Sequence, residues 1–224
     1  MFEKLWLLIS TILILGLSFY WQDNLIGIMA ALTGIWCVVL VAKGRIANYY
    51  VGIVNIIAYA WVAYTWQYYG EVMLNLVYFL PMQFVGIWLW RNKITEKNEV
   101  VVKLMTITQR FGWGIGSVAL IIGYGFFLKH LGGNLPFIDS ASTVLSVIAM
   151  VLMAFRYAEQ WVLWIVVNIA SIGLWVWALL NGGTDIAVLL MWSAYLVNAI
   201  YGLYNWIKIY NKQCLDARKE KLYV

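Results

Sequence analysis

Long apolar runs broken by brief polar punctuation organise this chain. Runs of about 20 apolar residues match the hydrocarbon thickness of a bilayer. By that measure eight candidate spans can be marked, near 4–20, 24–43, 46–67, 71–90, 109–129, 138–155, 159–181 and 184–208. The connections are short apart from the polar stretch 91–108 and the gap around 130–137. In hydrocarbon, a helix lets such a run satisfy its own backbone hydrogen bonds. The pattern therefore predicts an all-α polytopic membrane protein with eight transmembrane helices. In the first run Lys4 precedes LWLLISTILILGL, as in a signal peptide, but LSFYWQ beyond it offers no small-x-small cleavage pattern, so the run is taken as a span.

Composition removes the soluble alternative. The chain is 64% hydrophobic and 11% charged, with a mean hydropathy of +0.82, against about 25% charged residues in soluble domains. Charge then sets orientation. With both termini cytoplasmic, every one of the 15 Lys and Arg residues except Lys129 falls on the inner side. Asp23, Glu71, Asp139 and Asp185 fall on the other. This is a positive-inside distribution. The net charge of +5 thus expresses topology, and nothing else in the sequence supports nucleic-acid binding. Cys37 and Cys214 form no disulfide framework or CxxC motif, and the single His130 sits at a loop edge.

The spans repeat. Overlaying Asn55 on Asn168 places Asn48 on Trp161, and PMQFVGIWLWRN (81–92) lies over VNAIYGLYNWIK (197–208), matching Gly86 to Gly202 and Trp90 to Trp206. A length difference near NGG at 181–183 reconciles the two overlays. Two parallel triple-helix repeats result, in a 3+1+3 plan with 109–129 as the linker helix that restores direction. The expected organisation is an extra N-terminal helix (1–22), a first triple-helix bundle (23–92), a cytoplasmic loop and linker helix (93–134), a second bundle (135–210) and a cytoplasmic tail (211–224). Parallel repeats of this kind place a substrate site at their interface.

The chemistry available in the spans is neutral. Acidic residues fall near helix ends, which argues against a proton-coupled carrier, and no nucleophile–base set, metal-ligand set, cofactor fingerprint or Walker loop is present. What remains is carboxamides and aromatics. On α-helical geometry Trp161, Trp164 and Asn168 fall within about 60° of one another on one face. That face suits a flat polar ligand, which the indoles could stack on or hold by a cation–π contact while the amide reads hydroxyl or amide groups. Asn48 and Asn55 form the matching face of the first repeat; Gln83, Tyr78, Asn198 and Tyr195 complete the candidate binding set. Helix–helix hydrogen bonding is the structural alternative for each carboxamide, and an interfacial belt is the alternative for the tryptophans. Pro81, inside a span, must break a backbone bond and is a candidate hinge.

On WVLWIVVNI at 161–169, NLVYFLPMQFVGIWLWRN at 75–92 and the 3+1+3 plan, the sequence resembles the PnuC nicotinamide riboside transporters over about 24–208. The plan alone is shared with SWEET sugar carriers. LPMQ looks like their PQ-loop signature, with Met82 inserted between Pro81 and Gln83, and the extra first helix departs from a seven-span core. The resemblance implies uncoupled facilitated diffusion of nicotinamide riboside, an NAD precursor, across a bacterial inner membrane. It also implies trapping by a cytoplasmic nicotinamide riboside kinase, a homotrimeric assembly and no cofactor. A thiamine transporter and a SWEET-like sugar carrier are the rival substrates; a non-transporting membrane receptor or assembly protein is the rival of another class.

Overall fold

The computed structural model describes residues 2–20, 25–65, 72–132, 135–181 and 186–222. Asp23, Glu71, Asp185 and the residues at 182–183 lie outside them. Eight helices and no strand occur among the described residues. They are α1 (Phe2–Tyr20), α2 (Leu25–Ala42), α3 (Ala47–Thr65), α4 (a π segment Leu74–Phe79 continued by Leu80–Trp90), α5 (Ile107–His130), α6 (Pro136–Ala154), α7 (Gln160–Leu180) and α8 (Ile186–Leu222). Each falls on one of the expected apolar runs. Among the described residues α2, α5 and α6 are long and apolar enough to cross a membrane, and Ala47–Val62, Leu74–Trp90 and Gln160–Leu174 are shorter apolar stretches.

The chain divides into two compact units, Met1–Val101 and Val102–Val224. In the first, α1 packs on α2, α2 on α3 and α3 on α4. Trp36 Nε1 donates to Thr11 Oγ1 at 3.3 Å, which ties α1 to α2. In the second, α5 packs on α6, α6 on α7 and α7 on α8. Ser140 Oγ donates to the Ile121 carbonyl at 2.7 Å, and Gly125 leaves room for the Phe137 ring, so the linker helix is fastened to α6.

Two local departures from a plain helix have identifiable causes. Pro81 has no N–H to give and its ring crowds the carbonyl four residues back. The chain answers with a wider turn over Leu74–Phe79, in which the Leu80 N–H reaches the Asn75 carbonyl. The last helix runs on to Leu222, well past the expected span end at 208. Its extension KIYNKQCLDARKEKL is rich in good helix formers. Ile209 is buried, and Gln213 Oε1 accepts from the Val102 N–H at 3.0 Å, so packing holds the extension as well.

The polar stretch 91–108 is held by backbone bonds within each unit. Asn98, at φ 58°, turns a small hairpin closed by Thr95 N–Glu99 O and Val101 N–Lys93 O bonds of 2.8 Å. Arg45 Nη1 donates to the Lys97 and Asn98 carbonyls at 3.0 Å each, and Val100, fully buried, donates to the Gly44 carbonyl at 2.9 Å. In the second unit the strap continues with Lys103 N to Arg156 O at 2.9 Å and Ala158 N to Lys103 O at 3.0 Å. Met105 then packs with Ile148 and Leu152.

The loops α2–α3 and α6–α7 are the same object built twice. Helix α2 ends with Gly44 N to Val41 O and Arg45 N to Leu40 O; α6 ends with Arg156 N to Met153 O and Tyr157 N to Leu152 O. Both are Schellman closures around a left-handed residue, Gly44 at φ 63° and Arg156 at φ 69°. The next helices open with Asn48 N to Arg45 O and with Gln160 N to Tyr157 O. These bonds pair Asn48 with Gln160 and Tyr49 with Trp161, one residue away from the register expected by superposing Asn55 on Asn168.

Candidate functional site

Helix α7 begins where Glu159 fastens it. One oxygen, Glu159 Oε1, accepts from Met105 N at 3.0 Å, Arg110 Nε at 3.0 Å and Arg110 Nη2 at 2.8 Å. Above that anchor the helix sorts its faces. Val162, Val166 and Ile169 are exposed, whereas Trp161 and Asn168 are buried and Trp164 is half-buried. The indole, indole and carboxamide thus turn away from the exposed stripe, as expected if they serve the interior.

Trp161 packs deepest. Its six-membered ring lies over Gly202 of α8, where an added Cβ would come within 2.6 Å of three ring carbons. Trp206 meets the same ring edge-on at 6.1 Å and 75°. Trp161 Nε1 is buried with no acceptor among the described residues. Asn198 shares this face of α8, at helical spacing before Gly202 and Trp206, and is 2% exposed. Tyr195, one turn earlier, is half-buried with its ring edge-on to Trp192 at 5.9 Å. Asn168, 3% exposed, makes no side-chain hydrogen bond among the described residues.

The first unit repeats the arrangement with different side chains. Tyr49 lies over Gly86 of α4 and meets Trp90 edge-on at 4.9 Å and 84°. Gln83 is buried against Gly52, with Oε1 only 2.6 Å from where a Cβ would stand. Gln83 Nε2 returns to the Phe79 carbonyl at 3.1 Å while Oε1 has no donor among the described residues. Asn48 is fully buried; Nδ2 donates to the Arg45 carbonyl at 2.6 Å and Oδ1 has no donor among the described residues. Asn55 is different. Its Nδ2 donates to the Ala30 carbonyl at 2.7 Å and so bonds α3 to α2, the helix–helix role weighed as its alternative. Tyr78, half-buried on the π segment, has its ring 5.2 Å from Phe79.

One polar residue escaped the expected set. Gln160 is fully buried and both of its amide atoms lack partners among the described residues. Its signal is the dipeptide. A carboxamide followed by an aromatic opens both α3 and α7, Asn48-Tyr49 and Gln160-Trp161. Superposing asparagines rather than dipeptides hides it. The resulting pattern is a set of buried groups with spare hydrogen-bonding capacity among the described residues: the Asn48 and Gln83 amides in the first unit, and the Trp161 indole and Gln160 amide in the second. A desolvated polar group without a partner is costly, so such groups gain most from a ligand or water that completes them. No group of His, Cys, Asp and Glu among the described residues could hold a metal ion.

Comparison with known proteins gives this arrangement its context. Residues 24–208 match a family described as nicotinamide mononucleotide transporter. The chain is similar to the nicotinamide riboside transporter PnuC of Neisseria mucosa, at 43% identity over 93% of this chain and 81% of the relative. It is also similar to that of Haemophilus influenzae, at 36% identity over 93% and 90%. A crystal structure of the vitamin B3 transporter PnuC superposes with a TM-score of 0.80 at 42% identity, covering 94% of this chain and 92% of the other.

Proposed function

The chain belongs to the PnuC family of nicotinamide riboside transporters, and on that premise we propose that it carries nicotinamide riboside by uncoupled facilitated diffusion on a site built around Trp161, Trp164 and Asn168. As a member of a transporter family with apolar helices it is a membrane protein and not an enzyme. The observation that carries the proposal is the inward face of α7. It offers two indoles and a buried carboxamide, and no charged side chain, within two helical turns. The ligand has a flat cationic ring, a carboxamide and sugar hydroxyls. Indoles hold such a ring by stacking and cation–π attraction, and amides read the rest.

The same face supports riboside over mononucleotide as the substrate. A phosphate monoester calls for Arg, Lys or free helix N-termini. The Lys and Arg residues lie near helix ends, in the polar stretches or in the C-terminal extension of α8 instead, which favours the riboside. A binding role for Asn48, Gln83, Tyr78, Asn198 and Tyr195 is part of the proposal, as is a hinge at Pro81. Asn55 is the weakest member, because its amide is already engaged by α2.

We further propose eight spans in the 3+1+3 plan with both termini cytoplasmic, in a bacterial inner membrane. The basic residue distribution supports that orientation. A homotrimer and a partner kinase that traps the product are expectations from the family resemblance.

The test is calorimetric binding to the detergent-purified full chain, with nicotinamide riboside, nicotinamide mononucleotide, thiamine and glucose compared. Tight binding of the riboside alone, lost in a Trp164→Ala, Asn168→Ala double variant, is the expected result. Preference for thiamine, glucose or the mononucleotide would overturn the substrate. Riboside binding unchanged in the double variant would overturn the site.

A further inference from the structure

Each unit seats one aromatic ring on a glycine backbone. In the second unit the Trp161 ring rests on Gly202 and is closed from the side by Trp206; in the first, Tyr49 rests on Gly86 and is closed by Trp90. All four aromatic residues are essentially buried. The seats occupy equivalent places, since the loop hydrogen bonds pair Tyr49 with Trp161. Their contents differ: the seated ring is an indole in the second and a phenol in the first, and Trp161 belongs to the WxxWxxxN pattern whereas Tyr49 belongs to no such pattern.

We propose that Gly202 is a positioning residue of the substrate site, fixing the plane and N–H direction of Trp161, whereas Gly86 performs only the packing half of that task. This inference rests on the assignment of Trp161 to the substrate site. A methyl group on Gly202 would stand 2.6 Å from Cη2, Cζ2 and Cζ3 of the indole at once. These atoms belong to one rigid ring, so no flexible tip can yield. The ring must tilt as a body or α8 must withdraw, and Trp206 at 6.1 Å limits the tilt. The polar atom most affected is Nε1. It is buried and without an acceptor among the described residues, and is the donor Trp161 can offer a ligand. A tilt of the ring re-aims that N–H, and hydrogen bonds weaken steeply with angle. Gly202 therefore governs affinity without touching substrate.

The first repeat is a built-in control. Gly202→Ala and Gly86→Ala each force a ring off its seat, so a purely structural role predicts parallel effects. The experiment measures thermal unfolding and nicotinamide riboside binding by calorimetry for wild type and both variants, all as full chains in detergent. The expected result is a lowered Tm in both, with riboside Kd raised about tenfold or more in Gly202→Ala, the scale of one lost hydrogen bond, and less than about twofold in Gly86→Ala. Equal Kd changes in the two, or an unchanged Kd in a folded Gly202→Ala, would overturn the proposal. Should Gly202→Ala fail to fold, Trp206→Phe and Trp90→Phe make the same comparison by shortening the side wall without adding volume. A several-fold weaker Kd confined to Trp206→Phe is expected, and matching values overturn the proposal. Wild type that binds no riboside is a separate pattern: it overturns the substrate assignment, and this inference falls with it.

Discussion

At the level of single residues, Asn55 and Asn168 set a bonded amide beside the one proposed to bind substrate. An amide that glues helices is bonded in the resting protein, as Asn55 is to Ala30 at 2.7 Å. Asn168 is 3% exposed and holds no such bond among the described residues. Replacing it with Leu, close in volume, removes desolvation cost without breaking a contact. Asn168→Leu should therefore leave Tm unchanged or raised, while riboside affinity falls about 10- to 100-fold, as one or two hydrogen bonds are lost. Thermal unfolding and calorimetry on the same sample check both halves, and a falling Tm with unchanged affinity would return Asn168 to the glue class. The sequence made this residue visible because a carboxamide in an apolar run is conspicuous. It did not separate Asn168 from Asn55, since the difference lies in whether a backbone carbonyl on the neighbouring helix happens to face the amide. Nor did it reveal that Trp161 is clamped, because a glycine 41 positions away supplies the seat.

Among elements, helices were legible and their irregularities were not. Apolar run length is a property of each segment alone, so every expected span finds its helix. Pro81 announced a broken bond, yet the form of the break, a six-residue π segment over Leu74–Phe79, depends on how α4 accommodates the crowded carbonyl. The strap at 93–106 had no periodicity to read. Its order comes from backbone bonds to the Gly44 and Arg156 carbonyls, which are long-range partners. The length of α8 was missed for a related reason: hydropathy marks where apolar residues stop, whereas helical hydrogen bonding continues through Lys, Glu, Ala and Leu. The π segment yields an element-level prediction. Pro81→Ala restores the donor at that position, so the segment can relax to α geometry, which turns the residues before it by roughly 100° for the one residue removed from the bulge. A hinge at this place requires uptake in proteoliposomes to slow several-fold in Pro81→Ala, with Tm raised and riboside Kd within about twofold. An unchanged uptake rate would reduce Pro81 to a static kink.

For the molecule as a whole, absent charge matters as much as the residues present. No carboxylate occupies the middle of an expected span, so no side chain there is suited to carry a coupling proton or sodium ion with the substrate. The substrate proposed is itself a cation. An uncoupled carrier of a cation is electrogenic, because each turnover moves one charge. Its equilibrium is then set by the membrane potential and not by equal concentrations. Moving one charge through 100 mV is worth about 2.3 kcal/mol, and about 1.4 kcal/mol is a factor of ten, so an inside-negative potential of 100 mV should accumulate riboside roughly 50-fold. Proteoliposomes loaded with potassium and treated with valinomycin impose that potential directly. Riboside should accumulate to the ratio set by the potassium gradient, collapse to equal concentrations when potassium is balanced, and ignore an imposed pH gradient at zero potential. Accumulation driven by the pH gradient alone would mean that a proton travels with the substrate and would overturn uncoupled transport. Equal concentrations under potential would mean that a charge moves with or against the riboside to cancel its own. The expected spans offer no ionised side chain at mid-depth for that task, so this outcome would also count against the site chemistry proposed for Trp161, Trp164 and Asn168.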